Sequence, residues 1–260
     1  MKLGFLVRGA AILLAWFCIG MSPAIAAEKP KLTEPPKALT GLFLGNSYTY
    51  YNNSFHLKLR KLSQSLDAAN KKKFYYKMMA ISGSYLENHG LGAAGMIENF
   101  EHKKKKGPWG MVALQGQSRE PINPKKRDGF AAAARALDKT IREAGSRTVF
   151  FMTWAYKAKP EMSEALEDAY TKIGNELNAY VVPVGVAFRL GLAENPEMEL
   201  YFKDGKHPSH LGSYLTAAVF YAALSGKSPE GSDFTDGLPA DQAAFAQRIA
   251  WKAVKQYYGW

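Results

Sequence analysis

Five short apolar runs, each halted by turn residues and separated by stretches of helical period, set the architecture of this chain. They cover residues 42–44, 73–81, 109–114, 148–154 and 180–184, and short runs of this kind read as buried strands. Phe55, Leu59, Leu62 and Leu66 form one stripe of a helix that Asn53 or Ser54 caps and that runs to about residue 70. Phe130, Ala134, Leu137 and Ile141 do the same over 130–144, as do Met162, Leu166, Ala169, Ile173 and Leu177 over 162–177. Residues 86–100 also read as a helix, though Gly90, Gly92 and Gly95 weaken its regularity. The stretch after Val184 is rich in small and turn residues and reads as irregular. Residues 210–224 are apolar nearly all round, as in a helix buried against a sheet, and 239–257 form a final amphipathic helix with Phe245, Ile249 and Val254. Strands alternating with helices predict an α/β domain built on a five-stranded parallel sheet, with its functional cleft at the carboxyl ends of the strands.

The first residues do not belong to that pattern. Lys2 and Arg8 precede an apolar segment over 10–20, and Ala24-Ile25-Ala26 offers small residues at a cleavage position. This predicts a signal peptide over 1–26, followed by a proline-bearing tether over 27–40 and a folded domain over 41–260. The apolar segment is short for a bilayer span, so no stable membrane span is expected after cleavage. Cys18 is the only cysteine and lies inside the leader. The mature chain would then have no disulfide, thiol nucleophile or thiolate metal site, which suits a periplasmic or secreted bacterial protein. The formal charge is +11, falling to +9 once Lys2 and Arg8 leave with the leader. Lysine and arginine cluster at 71–73, 103–106 and 125–127 without the interleaved aromatics of single-strand binders. Nucleic acid is therefore not the expected partner; an acidic glycan or a phospholipid surface suits the charge better.

Polar residues stand at the ends of three predicted strands. Gly45-Asn46-Ser47 ends the first, Ser82-Gly83-Ser84 the second, and Gln115-Gly116-Gln117-Ser118 the third. Ser47 can cap the following helix, or it can act as a nucleophile. A serine becomes a useful nucleophile only with a base in reach, and the base works best when a carboxylate fixes its tautomer. Asp204-Gly205-Lys206-His207, just before the apolar 210–224 helix, can supply both within one loop. Asp204, His207 and His210 also stand at three-residue intervals that suit a metal, but no fourth ligand accompanies them.

The order Gly-Asn-Ser near the mature start, a glycine in the next strand-end loop, an amide-bearing strand end and a late Asp-x-x-His-Pro resembles the SGNH hydrolases, also called the GDSL esterase and lipase superfamily. Gly45-Asn46-Ser47-Tyr48-Thr49 looks like a bacterial branch with a Gly-Asn-Ser-Tyr/Phe-Thr signature. The resemblance implies a flavodoxin-like three-layer α/β/α fold. It implies Ser47 as nucleophile, His207 as base and Asp204 as its orienting acid, with oxyanion donors at Ser47 and Gly83. Asn46 stands where the family usually has aspartate, and the glutamine block stands where it has glycine-asparagine. That block is similar to the Gln-Gly-Glu-Ser of sialate and xylan acetylesterase relatives, which makes Gln115 the third oxyanion donor and Gln117 the second choice. Asn46, Gln117 and Tyr48 are expected beside the substrate.

The resulting expectation is a secreted serine esterase that needs no cofactor or metal and removes a short acyl group from a carbohydrate or cell-envelope glycan. A lipase, lysophospholipase or thioesterase would use the same triad. An acyltransferase or a non-catalytic glycan-binding module would use the same fold, the latter keeping Tyr48, Tyr50, Tyr51, Trp154 and Tyr156 for sugar stacking.

Overall fold

The computed structural model describes Met1, residues 28–102 and residues 105–260; the predicted leader beyond Met1, Cys18 included, lies outside the described residues. The strands are β1 (Thr40–Gly45), β2 (Tyr75–Ala80), β3 (Glu101–His102), β4 (Lys105–Lys106), β5 (Met111–Leu114), β6 (Thr148–Phe151) and β7 (Tyr180–Val182). Five of them form one parallel sheet in the order β2-β1-β5-β6-β7, while β3 and β4 make a small antiparallel ribbon. Every residue of β5, β6 and β7 is buried, as expected for parallel strands covered on both faces. The chain leaves β1 for β2 on one side and then crosses to β5 on the other. The switch point therefore lies between β1 and β5, where open α/β sheets hold their ligands.

The helices are α1 (Ser47–Tyr50), α2 (Phe55–Leu66), α3 (Gly90–Glu98), α4 (Arg127–Glu143), α5 (Met162–Glu176), α6 (Val184–Glu194), α7 (His210–Ser225) and α8 (Ala240–Tyr258). Phe43 and Phe151 reach from one sheet face to Phe55 on α2 and Phe220 on α7. Phe150 reaches from the other face toward Phe130 on α4 and Tyr170 on α5. This is a three-layer α/β/α sandwich. All residues of α7 from Leu211 to Leu224 are buried, because α2, α6 and α8 cover the sides that the sheet leaves open.

Two helices differ from the sequence reading. The stretch after Val184, expected to be irregular, forms α6. Its glycines hid the period, and the packing requires them: a Cβ on Gly185 would come within 2.3 Å of the Thr153 carbonyl oxygen. The helix expected over 86–100 is broken at Gly90, where φ is +28°, into a 3₁₀ turn (Leu86–His89) and α3. The segment before β1 has no regular structure but is docked on the domain. Lys37 N–H donates to Leu224 O at 2.8 Å, and the Asn175 amide binds the Glu28 carboxylate and Lys29 O at 2.8 and 2.9 Å.

His56 on α2 is buried and shares a 2.5 Å hydrogen bond between Nδ1 and Ser54 Oγ. Burial pushes its pKa from the usual 6.5 down to about 4. Below pH 6.5 the unfolded chain takes up a proton that the folded chain refuses until about pH 4, so stability falls as pH falls through that window. Urea unfolding is expected to lose about 1.5 kcal/mol between pH 6.5 and 5 from this group. The loss should be smaller in His56→Gln; an equal loss in both proteins would remove His56 as its source.

Candidate active site

The site begins where β1 ends. Gly45 and Asn46 turn the chain at the sheet's carboxyl edge, and Asn46 caps α1 by accepting the Tyr48 N–H on Oδ1 at 3.1 Å. Ser47 is thereby the first residue of α1, with its backbone N–H left outside the helical ladder. Gln115 lies one residue past β5 and faces this turn. Its Oε1 accepts from Asn46 N–H at 3.2 Å and from Thr49 Oγ1 at 2.8 Å. Its Nε2 donates to Asn46 Oδ1 and to Gly116 O, both at 2.8 Å. Asn46 Nδ2 donates in turn to Ser84 O at 3.1 Å, in the loop after β2. Three strand ends are thus laced around Ser47. Gly45 has to be glycine, since a Cβ there would lie 2.4 Å from Thr49 Oγ1 and 2.5 Å from Gln115 Oε1.

The partner of Ser47 comes from the far end of the chain. Asp204 Oδ1 accepts the backbone N–H groups of Lys206 and His207, both at 2.9 Å, across a turn in which Gly205 takes φ +65°. Asp204 Oδ2 lies 2.5 Å from His207 Nδ1, and His207 Nε2 lies 2.9 Å from Ser47 Oγ. A carboxylate only accepts, so Nδ1 carries the proton and Nε2 is free to accept from the Ser47 hydroxyl. Burial raises the Asp204 pKa, but the His207 side chain and the two backbone N–H groups outweigh it and hold the carboxyl at about 2.

Several contacts fix the His207 loop. Trp154 Nε1 donates to Lys206 O and Lys157 N–H to Gly205 O, both at 2.9 Å. Asn52 Nδ2 donates to Pro208 O and Ser209 O at 2.9 Å and to Ser213 Oγ at 2.8 Å. The His207 ring stacks on Tyr51 with centroids 4.3 Å apart and meets Tyr48 edge-on at 5.7 Å. Tyr48 itself stacks on the fully buried Trp154 at 4.4 Å.

The structure therefore brings Ser47, His207 and Asp204 into one hydrogen-bonded line. Gly83 sits in the neighbouring strand-end loop at φ +66°, exposed and with open space around its α-carbon. Among the described residues neither its N–H nor that of Ser47 donates a hydrogen bond. Other expected positions require correction. Gln115, expected as an oxyanion donor, has both amide hydrogens bound within the protein and acts as a brace. Asn46 and Tyr48, expected beside the substrate, are buried at 3% and 5% exposure and hold the turn and the His207 ring from beneath. Gln117 is half-buried; its Oε1 accepts from Arg119 N–H at 3.1 Å, while its NH₂ group donates to nothing among the described residues. His210 turns away from His207 to bind the Asp236 carboxylate at 2.9 Å, which dissolves the alternative metal grouping.

Sequence reasoning missed two supporting residues. Glu120 is buried and accepts from Gln117 N–H at 2.7 Å and from Leu86 N–H at 3.1 Å, tying the loops after β5 and β2 together. Burial raises its pKa, and those two hydrogen bonds pull it partly back. Asn52 begins a run of three left-handed residues with Asn53 and Ser54, at φ 51°, 61° and 64°. Asparagine tolerates that region, so Asn-Asn-Ser directly after the short α1 was the readable signal.

Comparison with solved structures finds the same fold in several proteins. A protein from Slackia heliotrinireducens described as an SGNH hydrolase superposes with TM-score 0.56 at 24% identity, over 72% of this chain and 99% of that one. A DUF4886 family protein from Bacteroides uniformis gives 0.59 at 19% identity, over 83% and 94%. An acetylxylan esterase from Geobacillus stearothermophilus gives 0.53 at 15% identity, over 71% and 93%. No family model and no curated protein matches the sequence. The chain has the fold of the SGNH hydrolases.

The brace makes a stability prediction. Gln115→Leu leaves Asn46 N–H and the Thr49 hydroxyl unpaired in a buried site, at a cost of about 2–3 kcal/mol. The melting temperature should fall by roughly 5–10 °C. An unchanged melting temperature would contradict a bracing role for Gln115.

Proposed function

We propose that this protein is a serine ester hydrolase that removes a short acyl group from a carbohydrate or cell-envelope glycan. The observation that carries the reading is the line from Ser47 Oγ through His207 to Asp204, at 2.9 and 2.5 Å. As the Ser47 oxygen bonds to the ester carbonyl carbon, its proton passes to His207 Nε2, and Asp204 stabilises the imidazolium that forms. The negative charge that develops on the carbonyl oxygen is met by the N–H groups of Ser47 and Gly83. The tetrahedral species collapses as His207 returns the proton to the departing alcohol, leaving the acyl group on Ser47. Water, deprotonated by the same imidazole, then attacks the acyl-enzyme and releases the acid and the free serine. No step in this sequence calls on a metal or an organic cofactor.

The acyl group is short in this reading. An apolar cavity of about 390 Å³ borders Leu39, Leu59, Phe74 and Leu224. Leu39 and Phe74 precede β1 and β2, so this cavity opens at the amino ends of strands whose carboxyl ends hold Ser47. Six residues of strand, about 20 Å, separate the two, which makes the cavity unsuited to an acyl chain on Ser47. The likeness to an acetylxylan esterase points the same way. The leader over 1–26 is removed in this account, and the enzyme works in the periplasm or outside the cell.

Hydrolysis of p-nitrophenyl acetate, butyrate and palmitate is the direct test. We expect acetate to be the best of the three, with Ser47→Ala and His207→Ala each lowering kcat by about a thousandfold or more. Preference for palmitate would make the protein a lipase. A folded protein inert on all three esters would remove the hydrolase reading.

A further inference from the structure

The loop that carries Asp204 and His207 also forms one wall of a cleft of about 500 Å³, and the lining of that cleft is strongly basic. Lys203 and Lys206 flank Asp204 on this wall, while Arg119, Lys157 and Lys159 enter from the loops after β5 and β6. Asp204 is the only carboxylate lining it, and that carboxylate is already engaged by His207 and two backbone N–H groups.

Several cations elsewhere on the surface are matched to carboxylates. Arg135, Lys172 and Arg248 are each matched to Glu176, Asp168 and Glu194. None of the five cleft cations has an ion-pair partner among the described residues. Two of them are positioned by an aromatic ring: Arg119 and Lys206 lie 5.8 and 5.4 Å from the ring centre of Tyr156. Tyr156 is fixed in turn by a 2.6 Å hydrogen bond between its hydroxyl and Ser118 Oγ. Five like charges around one concave space repel one another, and a ligand bringing negative charge relieves that repulsion. A cleft of this size admits a chain segment, whereas a flat membrane surface would reach only its rim.

Resting on the ester-hydrolase reading above, we infer that the cleft binds carboxylate groups of an acidic glycan that carries the scissile ester, so the substrate is a polyanionic rather than a neutral acylated polysaccharide. Ser47, His207 and Asp204 run in that order toward the cleft, so the charged sugars lie beyond the acid end of the triad while the acyl group sits at Ser47.

Acetate release from acetylated polygalacturonate and from acetylated xylan tests this. The wild-type protein should favour the acidic polymer in kcat/KM by about tenfold at low ionic strength, and the preference should shrink in about 0.5 M NaCl. Combined Lys157→Gln, Lys159→Gln and Lys203→Gln should bring the ratio of the two kcat/KM values toward one. Equal values in the wild type, or a preference that survives the three substitutions, would overturn the inference. Ser47→Ala protein provides a readout without chemistry. It should be retarded by polygalacturonate in affinity electrophoresis, and the same three substitutions should release it. Failure to hydrolyse any of the three p-nitrophenyl esters would sink the hydrolase reading, yet this binding assay would still decide the cleft. Binding to phosphatidylglycerol vesicles but not to polygalacturonate would also overturn the inference.

Discussion

Everything at the carboxyl edge of the sheet depends on the reciprocal pairing of two buried amides, Asn46 and Gln115. The pairing fixes the ends of β1 and β5 against each other at the switch point, and the bond from Asn46 Nδ2 to Ser84 O carries the constraint on to the β2 loop. Both side chains are almost fully buried, so breaking the pair would leave donors and acceptors without water to replace it. The position of Ser47 is inherited from this lattice. The choice of asparagine at position 46 is part of the same logic: an amide can give a hydrogen to Ser84 O, which a carboxylate cannot do.

The second half of the site is held by aromatic and backbone contacts. His207 rests on Tyr51 and Tyr48, and Tyr48 rests on Trp154, which also grips the loop through Lys206 O. Asn52 bridges the two halves, reaching from the end of α1 to the first residues of α7. Its left-handed backbone, shared with Asn53 and Ser54, is strain retained where the chain must turn sharply between the short α1 and α2.

Much of this was legible in the sequence, for identifiable reasons. Buried parallel strands announce themselves as apolar runs, and the positions of Ser47 and of Asp204 with His207 at element boundaries marked them as exposed to chemistry. The helix α6 was hidden because Gly185 and Gly191, which let it approach Thr153 and Leu200, are the residues that erase a hydrophobic period. The roles of Gln115 and Asn46 were hidden for a different reason. An amide at a strand end has the same donors whether it points at a substrate or at its neighbour, and only the three-dimensional partner distinguishes the two. Glu120 is similar: nothing in its local sequence reveals that two backbone N–H groups from different loops will enclose it.

The hydrogen bond from Ser47 to His207 spans 160 residues of sequence. Until the segment after β7 is in place, Ser47 is an ordinary alcohol at the end of the first strand of an unfinished sheet. A chain emerging from a ribosome therefore presents Ser47 early and the imidazole that meets it 160 residues later. The contact between Ser47 and His207 forms only as the domain closes, so timing is built into the order of the chain itself.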